Sequence, residues 1–398
     1  MDRSGVDIFR VNLSHTNIKD YNNIISQLSK WTSKPICPDT EGAQLRTGNI
    51  KNKKGLKVKS NKILEIVGSN YKTDNNQLIL NTPNIEKLLK IGDLLNIDFN
   101  GVLIHIINIH KHVIYGRIIN GGTIFSNKGI SVNRDIPLPN FTKKDLSVIE
   151  ISSSNTIPII FLSFCSNGES VDELRSYFNY NIKIISKVES KIALKNIDEI
   201  CKKSDGILID RGDLSRDVPI ERIAFAQNYI LKKAENYNTP VYVATNFLES
   251  MINNPKPTRS EINDIVSTLE NGGSGIVLAA ETAIGKFPLE CVRMVSNVIK
   301  EHQYFRNFSD KNIKNKPVDY LVSEPTNFLI RPHGGNKLIN QKINLFTKNQ
   351  IDQLPQLLIN EEIISDIVQI AEGVYSPLKG FMDLNQIDSV LNNNVLLS

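Results

Sequence analysis

The chain has 398 residues, 40% of them hydrophobic and 22% charged, with a formal net charge of +5. That length allows two or three separate cores, and the balance is that of a water-soluble globular protein rather than a disordered chain. The surplus lysines are scattered, as in Lys51–Lys62 and Lys311–Lys316, and no arginine stripe interleaves with aromatics, which argues against nucleic-acid binding.

Cys37, Cys165, Cys201 and Cys291 lie far apart and form no CxxC pair, so reduced thiols are expected rather than a disulfide frame or a zinc site. Met1-Asp2-Arg3 leads into no apolar leader, and no apolar run reaches the roughly 18 residues of a membrane span. The expectation is a cytoplasmic protein with no membrane partner.

In chain order, β-branched runs predict strands at Val6–Val11, Pro35–Pro38, Pro158–Phe164, Ile182–Val188, Gly206–Asp210, Pro240–Thr245 and Gly275–Ala279. Amphipathic stretches predict helices at Val171–Phe178, Ile192–Cys201, Ile220–Asn236, Arg259–Asn271 and Leu289–His302. Such alternation implies a parallel sheet. Residues 49–137 interrupt it with short strands and turn signals (Asn100-Gly101, Asn120-Gly121-Gly122), which read as an all-β insert. Its histidines His105, His110 and His112 lack the acidic or cysteine partners that would complete a metal set. Residues 306–327 read as a polar linker, and 328–398 as a further unit of different composition.

The chemistry-bearing residues fall at the C-terminal ends of the predicted strands, where a parallel barrel builds its active site. Alternation puts Arg10, Asn12 and Ser14 on one face, beside His15, and a guanidinium with two neutral oxygens suits a phosphate plus a hard cation. Asp39-Thr40-Glu41-Gly42 follows the next strand, with Arg46 just before the insert; the plain alternative is a turn with a surface ion pair. Lys187 and Glu189 share a face at the end of an apolar strand, where unpaired charge is costly. Arg211-Gly212-Asp213 follows the next, so that Glu189 and Asp213 could offer oxygen ligands to Mg²⁺, with Lys187 neutralising a transferring phosphoryl group or an enolate oxygen. Thr245 offers a hydroxyl after a further strand, and Glu281-Thr282-Ala283-Ile284-Gly285 forms the last such turn. There is no P-loop, GxGxxG or serine-elbow motif.

In these six clusters, in order over residues 1–303, the sequence resembles pyruvate kinase. The likeness is densest in KIISKVES, SDGILIDRGDL, PVYVATNFLESM, PKPTRSE and ETAIGKFPLE. The resemblance implies a TIM-type (β/α)8 barrel over 1–48 and 138–305 that lacks its first strand, with the β insert as a lid domain. It also implies site roles: Arg10, Arg46 and Lys187 on the phosphoryl group, Glu189 and Asp213 on Mg²⁺, and Asn12, Ser14, Asp39 and Thr40 on K⁺. The Gly212 and Asp213 amides would hold the substrate carboxylate, Thr245 would sit by the carbon that gains a proton, and His15 and Arg46 would lie on the nucleotide side. The implied reaction transfers phosphate from phosphoenolpyruvate to ADP, a glycolytic step, in a protein that could assemble as a homo-oligomer.

The sequence departs from that family at Glu41 (usually lysine), Gln44 (often glutamate), Ser215 (glycine) and Ala279-Ala280 (Ser-Gly). In RPHGGNKLIN and ISDIVQIAEGVYSPLKGFM, residues 328–398 resemble the N-terminal PUA-like α+β domain of ATP sulfurylase (sulfate adenylyltransferase), without its catalytic domain; Arg331 and His333 read as structural or interfacial. Two other readings stand beside the kinase: lyase-type chemistry on a phosphoenolpyruvate or pyruvate-enolate site, and an inactive fragment of a fused sulfate-activating protein.

Overall fold

A computed structural model describes residues 1–71, 77–98 and 101–309; the C-terminal PUA-like segment and most of the expected linker lie outside them. Two compact bodies divide the chain: Ile8–Val241, and Met1–Asp7 with the segment from Tyr242 on.

In the first body, five parallel strands lie side by side in the order Phe9–Asn12, Ile36–Asp39, Ile159–Leu162, Lys183–Val188, Gly206–Asp210. The middle strands are buried almost throughout, as parallel strands covered on both faces must be. The first strand begins at Phe9, three residues after the predicted start, because Asp2–Ser4 form a short helical turn ending on left-handed Gly5. Register aligns the strand ends: Asn12 stands beside Asp39, Asp39 beside Phe161, Leu162 beside Ser186 and Val188 beside Ile209.

Two helices not predicted from the sequence back the first strands. Ile18–Trp31 is capped by Asn17 Oδ1, which accepts from Lys19 N–H at 3.1 Å, and it buries Tyr21. Lys143–Ser154 opens on a reciprocal Thr142/Asp145 capping box. The Tyr21 and Ser152 hydroxyls meet at 3.2 Å in a core of Val11, Leu13, Ile36 and Val148.

The insert is all-β. A six-stranded sheet runs Ile130–Val132, Leu94–Ile97, Val102–His110, Val113–Asn120, Ile63–Gly68, Leu78–Leu80, beside a two-stranded ribbon of Leu56–Val58 and Gly122–Ile124. Inward residues alternate along Val102–His110, so that Val102, Ile104 and Ile106 enter a core with Leu64, Ile66 and Leu95. His112 stacks on Tyr71, with ring centroids 4.3 Å apart.

In the second body, Tyr242–Ala244 pair in parallel with Gly275–Val277, and helices Arg259–Glu270 and Pro288–Ser309 follow. The last helix outruns its predicted end at His302 and enters the stretch expected as linker. The N-terminal turn joins this body, with Ser296 Oγ donating to Ser4 O at 2.6 Å.

Candidate active site

Lys187 is the hub of the first body's strand ends. It is 5% exposed, and its Nζ lies 2.8 Å from Glu189 Oε1, 3.4 Å from Asp39, 3.6 Å from Asp210 and 3.2 Å from Ser163 Oγ. Burial works against its charge, but Asp39, Glu189 and Asp210 outweigh that cost and hold its pKa above the ordinary lysine value. Arg10 Nη1 donates to Asp39 Oδ2 at 3.0 Å, so Asp39 faces two cations, Lys187 and Arg10.

Glu189 is 2% exposed, and Phe164 N–H donates to its Oε2 at 2.6 Å. Its Oε1 is paired with Lys187 by distance but is aligned with no hydrogen-bond donor. Burial pushes its carboxyl up; Lys187 opposes this, while Asp210 and Asp39 add to it. Oxygens of Glu189, Asp210 and Asp213 lie within 4.8 Å of one another, and among the described residues this is the grouping able to hold a metal ion. The insert's histidines are not part of it. An acceptor with no aligned donor and an all-oxygen ligand set fit a hard divalent cation.

Of the four residues expected at a monovalent-cation site, Asn12 and Asp39 meet by register, and oxygens of Asn12, Asp39 and Thr40 are already engaged. Asn12 Oδ1 accepts from Ser14 N–H at 2.9 Å, and Thr40 Oγ1 accepts from Ser163 N–H at 2.8 Å. Asp39 serves Arg10, Lys187 and Ser163 at once. His15 is exposed and donates its backbone N–H to Asn12 O at 3.3 Å.

Asp210, Ser163, Phe164 and Asp145 were not singled out from the sequence. Asp210 ends its strand one residue before the Arg-Gly-Asp string, and Asp213 N–H lies 3.4 Å from its Oδ1, so a carboxylate already faces an amide expected to hold the substrate's. Phe164 takes a left-handed φ of 51°, which turns its N–H onto Glu189. Asp145, fully buried, accepts from Glu41 N–H at 2.7 Å and Gly42 N–H at 3.1 Å and so ties down the loop after Asp39. Gly42 has φ +70°, and a side chain there would strike Phe164 and Ser163.

Arg46 joins this body through a bridge to Gly129, and its Nη1 donates to Asn127 O at 3.0 Å. Burial lowers its pKa, while Glu41 and Glu189 pull it back up. Thr245 belongs to the other body; it holds φ +74° and donates its hydroxyl to Ala244 O at 2.6 Å.

Charged groups gathered at the carboxyl ends of consecutive parallel strands are the arrangement of a barrel-type α/β enzyme site. Comparison with known proteins agrees: a family model described as pyruvate kinase, barrel domain, matches residues 1–292. Pyruvate kinase of Thermotoga maritima is 32% identical over 307 residues, covering 75% of this chain and 66% of the relative. That of Agaricus bisporus is 31% identical over 307 residues, covering 74% and 58%, and that of Borreliella burgdorferi 28% identical over 394, covering 94% and 81%. The chain belongs to the pyruvate kinase family. It spans less than two thirds of the length of the first two relatives. A PUA-like domain model matches residues 330–398, a coarser statement than the sulfurylase kinship read from the sequence.

Proposed function

We propose that this chain carries out phosphoryl transfer from phosphoenolpyruvate to ADP with Mg²⁺, giving pyruvate and ATP. The observation that carries the reading is Lys187, buried and held in its charged form, 2.8 Å from Glu189, which with Asp210 and Asp213 forms an all-oxygen cluster able to hold a metal ion. Glu189 and Asp213, with Asp210 beside them, would hold Mg²⁺, which when bound supplies charge neutralisation for the phosphoryl and enolate oxygens.

The chain's own residues do the rest by position and charge. Lys187 presents a fixed ammonium to the charge that builds on the transferring group, in a site dry enough to strengthen it. Arg10, held by Asp39, and Arg46, held by Asn127 O, supply further phosphate donors. Asp39 orients both Lys187 and Arg10, and Asp145 fixes the loop that follows Asp39 and Thr40. Thr245, with its backbone held at positive φ, is assigned to the carbon that gains a proton. The observations support Mg²⁺ further than K⁺, because Asp39 already faces two cations where K⁺ would bind.

The test is pyruvate release from phosphoenolpyruvate with Mg²⁺, with and without ADP and with and without K⁺. ADP-dependent turnover is expected. Pyruvate formed equally well without ADP would replace the kinase reading with enolate chemistry on the same site.

A further inference from the structure

Arg216 has no assigned role, and its surroundings give it one. Its Nη1 donates to Gln44 Oε1 at 3.2 Å, its Nη2 pairs with Asp213, and its Cζ lies 6.0 Å from the Phe164 ring centroid. That leaves Nε, which is buried and without a hydrogen-bond partner. Gln44 Nε2 and Arg46 Nε are in the same condition. The three residues that carry these donors are neighbours: Gln44 is bonded to Arg216, Arg46 is two residues along, and Arg46 bridges to Gly129. A side chain at position 129 would collide with the Arg216 guanidinium, so the glycine is what lets that group reach the bridge.

Two half-buried guanidinia close enough to repel each other, with three buried N–H donors that have no acceptor, form the complement of an oxyanion. Arg216 Nη2 pairs with Asp213, a member of the metal-ligand grouping, which places the anion beside that cluster.

We infer that Arg216 and Arg46, with the Gln44 amide, form a clamp for a phosphate group of the substrate. The phosphotransferase reading supplies the identity of that phosphate, either the enol phosphate or the terminal phosphate of the nucleoside diphosphate. The clamp itself rests on the three donors.

The experiment is calorimetric titration of the whole chain with inorganic phosphate, phosphoenolpyruvate and ADP, each without divalent metal, beside thermal melts. Arg216→Gln is expected to weaken phosphate binding about 10- to 100-fold, the scale of lost charge-assisted hydrogen bonds, and Arg216→Lys to fall between. Weakened phosphoenolpyruvate with unchanged ADP assigns the clamp to the donor; the reverse assigns it to the nucleotide. Wild-type phosphate affinity in a folded Arg216→Gln overturns the clamp, even with a lowered Tm, since a purely structural arginine would give that result; if Arg216→Gln does not fold, wild-type affinity in Arg216→Lys overturns it equally. Phosphate binding that depends on Arg216, with neither phosphoenolpyruvate nor ADP bound, upholds the clamp and overturns the reaction instead. A wild-type chain that binds none of the three overturns both.

Discussion

Replacing Lys187 with methionine keeps the length of the side chain and removes the charge that three carboxylates share. Glu189 at 2.8 Å and Asp210 at 3.6 Å then lose the cation nearest to them, and Asp39 keeps Arg10. Removing one partner of a buried ion pair costs about 3–5 kcal/mol, because the other charge stays out of water. For a folded body of this size that is a fall in Tm of roughly 6–20 °C. The Lys187 pKa is raised on folding, so its contribution is complete below the ordinary lysine pKa and fades only as pH climbs through the folded value. The cost of the substitution should therefore be constant across neutral pH. Mg²⁺ should restore more of the Tm in Lys187→Met than in the wild type, because a cation in the carboxylate cluster replaces the missing charge. Phosphoryl transfer should drop by ~10²–10³-fold or more. The assays are differential scanning calorimetry in EDTA and in Mg²⁺, and coupled pyruvate detection. A variant with wild-type Tm in EDTA and no added response to Mg²⁺ would refute the claim that this lysine holds ionised carboxylates together.

The other expectations are narrower. Asp145→Ala removes the acceptor for the Glu41, Gly42 and Thr142 N–H groups and should cost about 3 kcal/mol or more in urea unfolding, with a raised KM; a loss below about 1 kcal/mol would show that the loop holds itself. Cys37, Cys165, Cys201 and Cys291 are all buried, and burial pushes each thiol up to about 12. The native protein should resist alkylation at pH 8 and lose stability as pH rises from the ordinary thiol value toward 12, whereas rapid labelling without unfolding would contradict that burial. Glu261 accepts from Ser250 and Thr258, and these hydrogen bonds, against the opposing effect of burial, lower its pKa. Its contribution is present above the ordinary carboxylate pKa and is lost as pH falls through the folded value. Glu261→Ala should therefore cost about 1–2 kcal/mol at pH 7 and progressively less as pH falls through the folded value; a pH-independent difference would assign the loss to packing.

Much of the fold was legible because its signals are local. Apolar runs such as Ile182–Val188 and Gly206–Asp210 can be buried only as central parallel strands, and they are. The Lys187/Glu189 pair could be placed on one face from strand period alone. The two helices left unpredicted also had local signals: Thr142 with Asp145 three residues on is a capping box, and Ile18, Tyr21, Ile25 and Leu28 recur at helical spacing.

The sequence by itself determined the strand–helix alternation, the β insert, the family resemblance and the residue types at the strand ends, because each follows from period, composition or a short string. Only the tertiary structure decided which of those residues meet. Register brings Asp39 to Lys187, together with Ser163, which no motif marks. The same holds for Asp210, which reads as the end of a strand until its neighbour places a carboxylate 4.8 Å or less away. It holds too for Arg216, 172 positions from Gln44 along the chain and one hydrogen bond from it in space. Charge energies depend on distance and burial, and neither is defined until strands distant in sequence lie side by side.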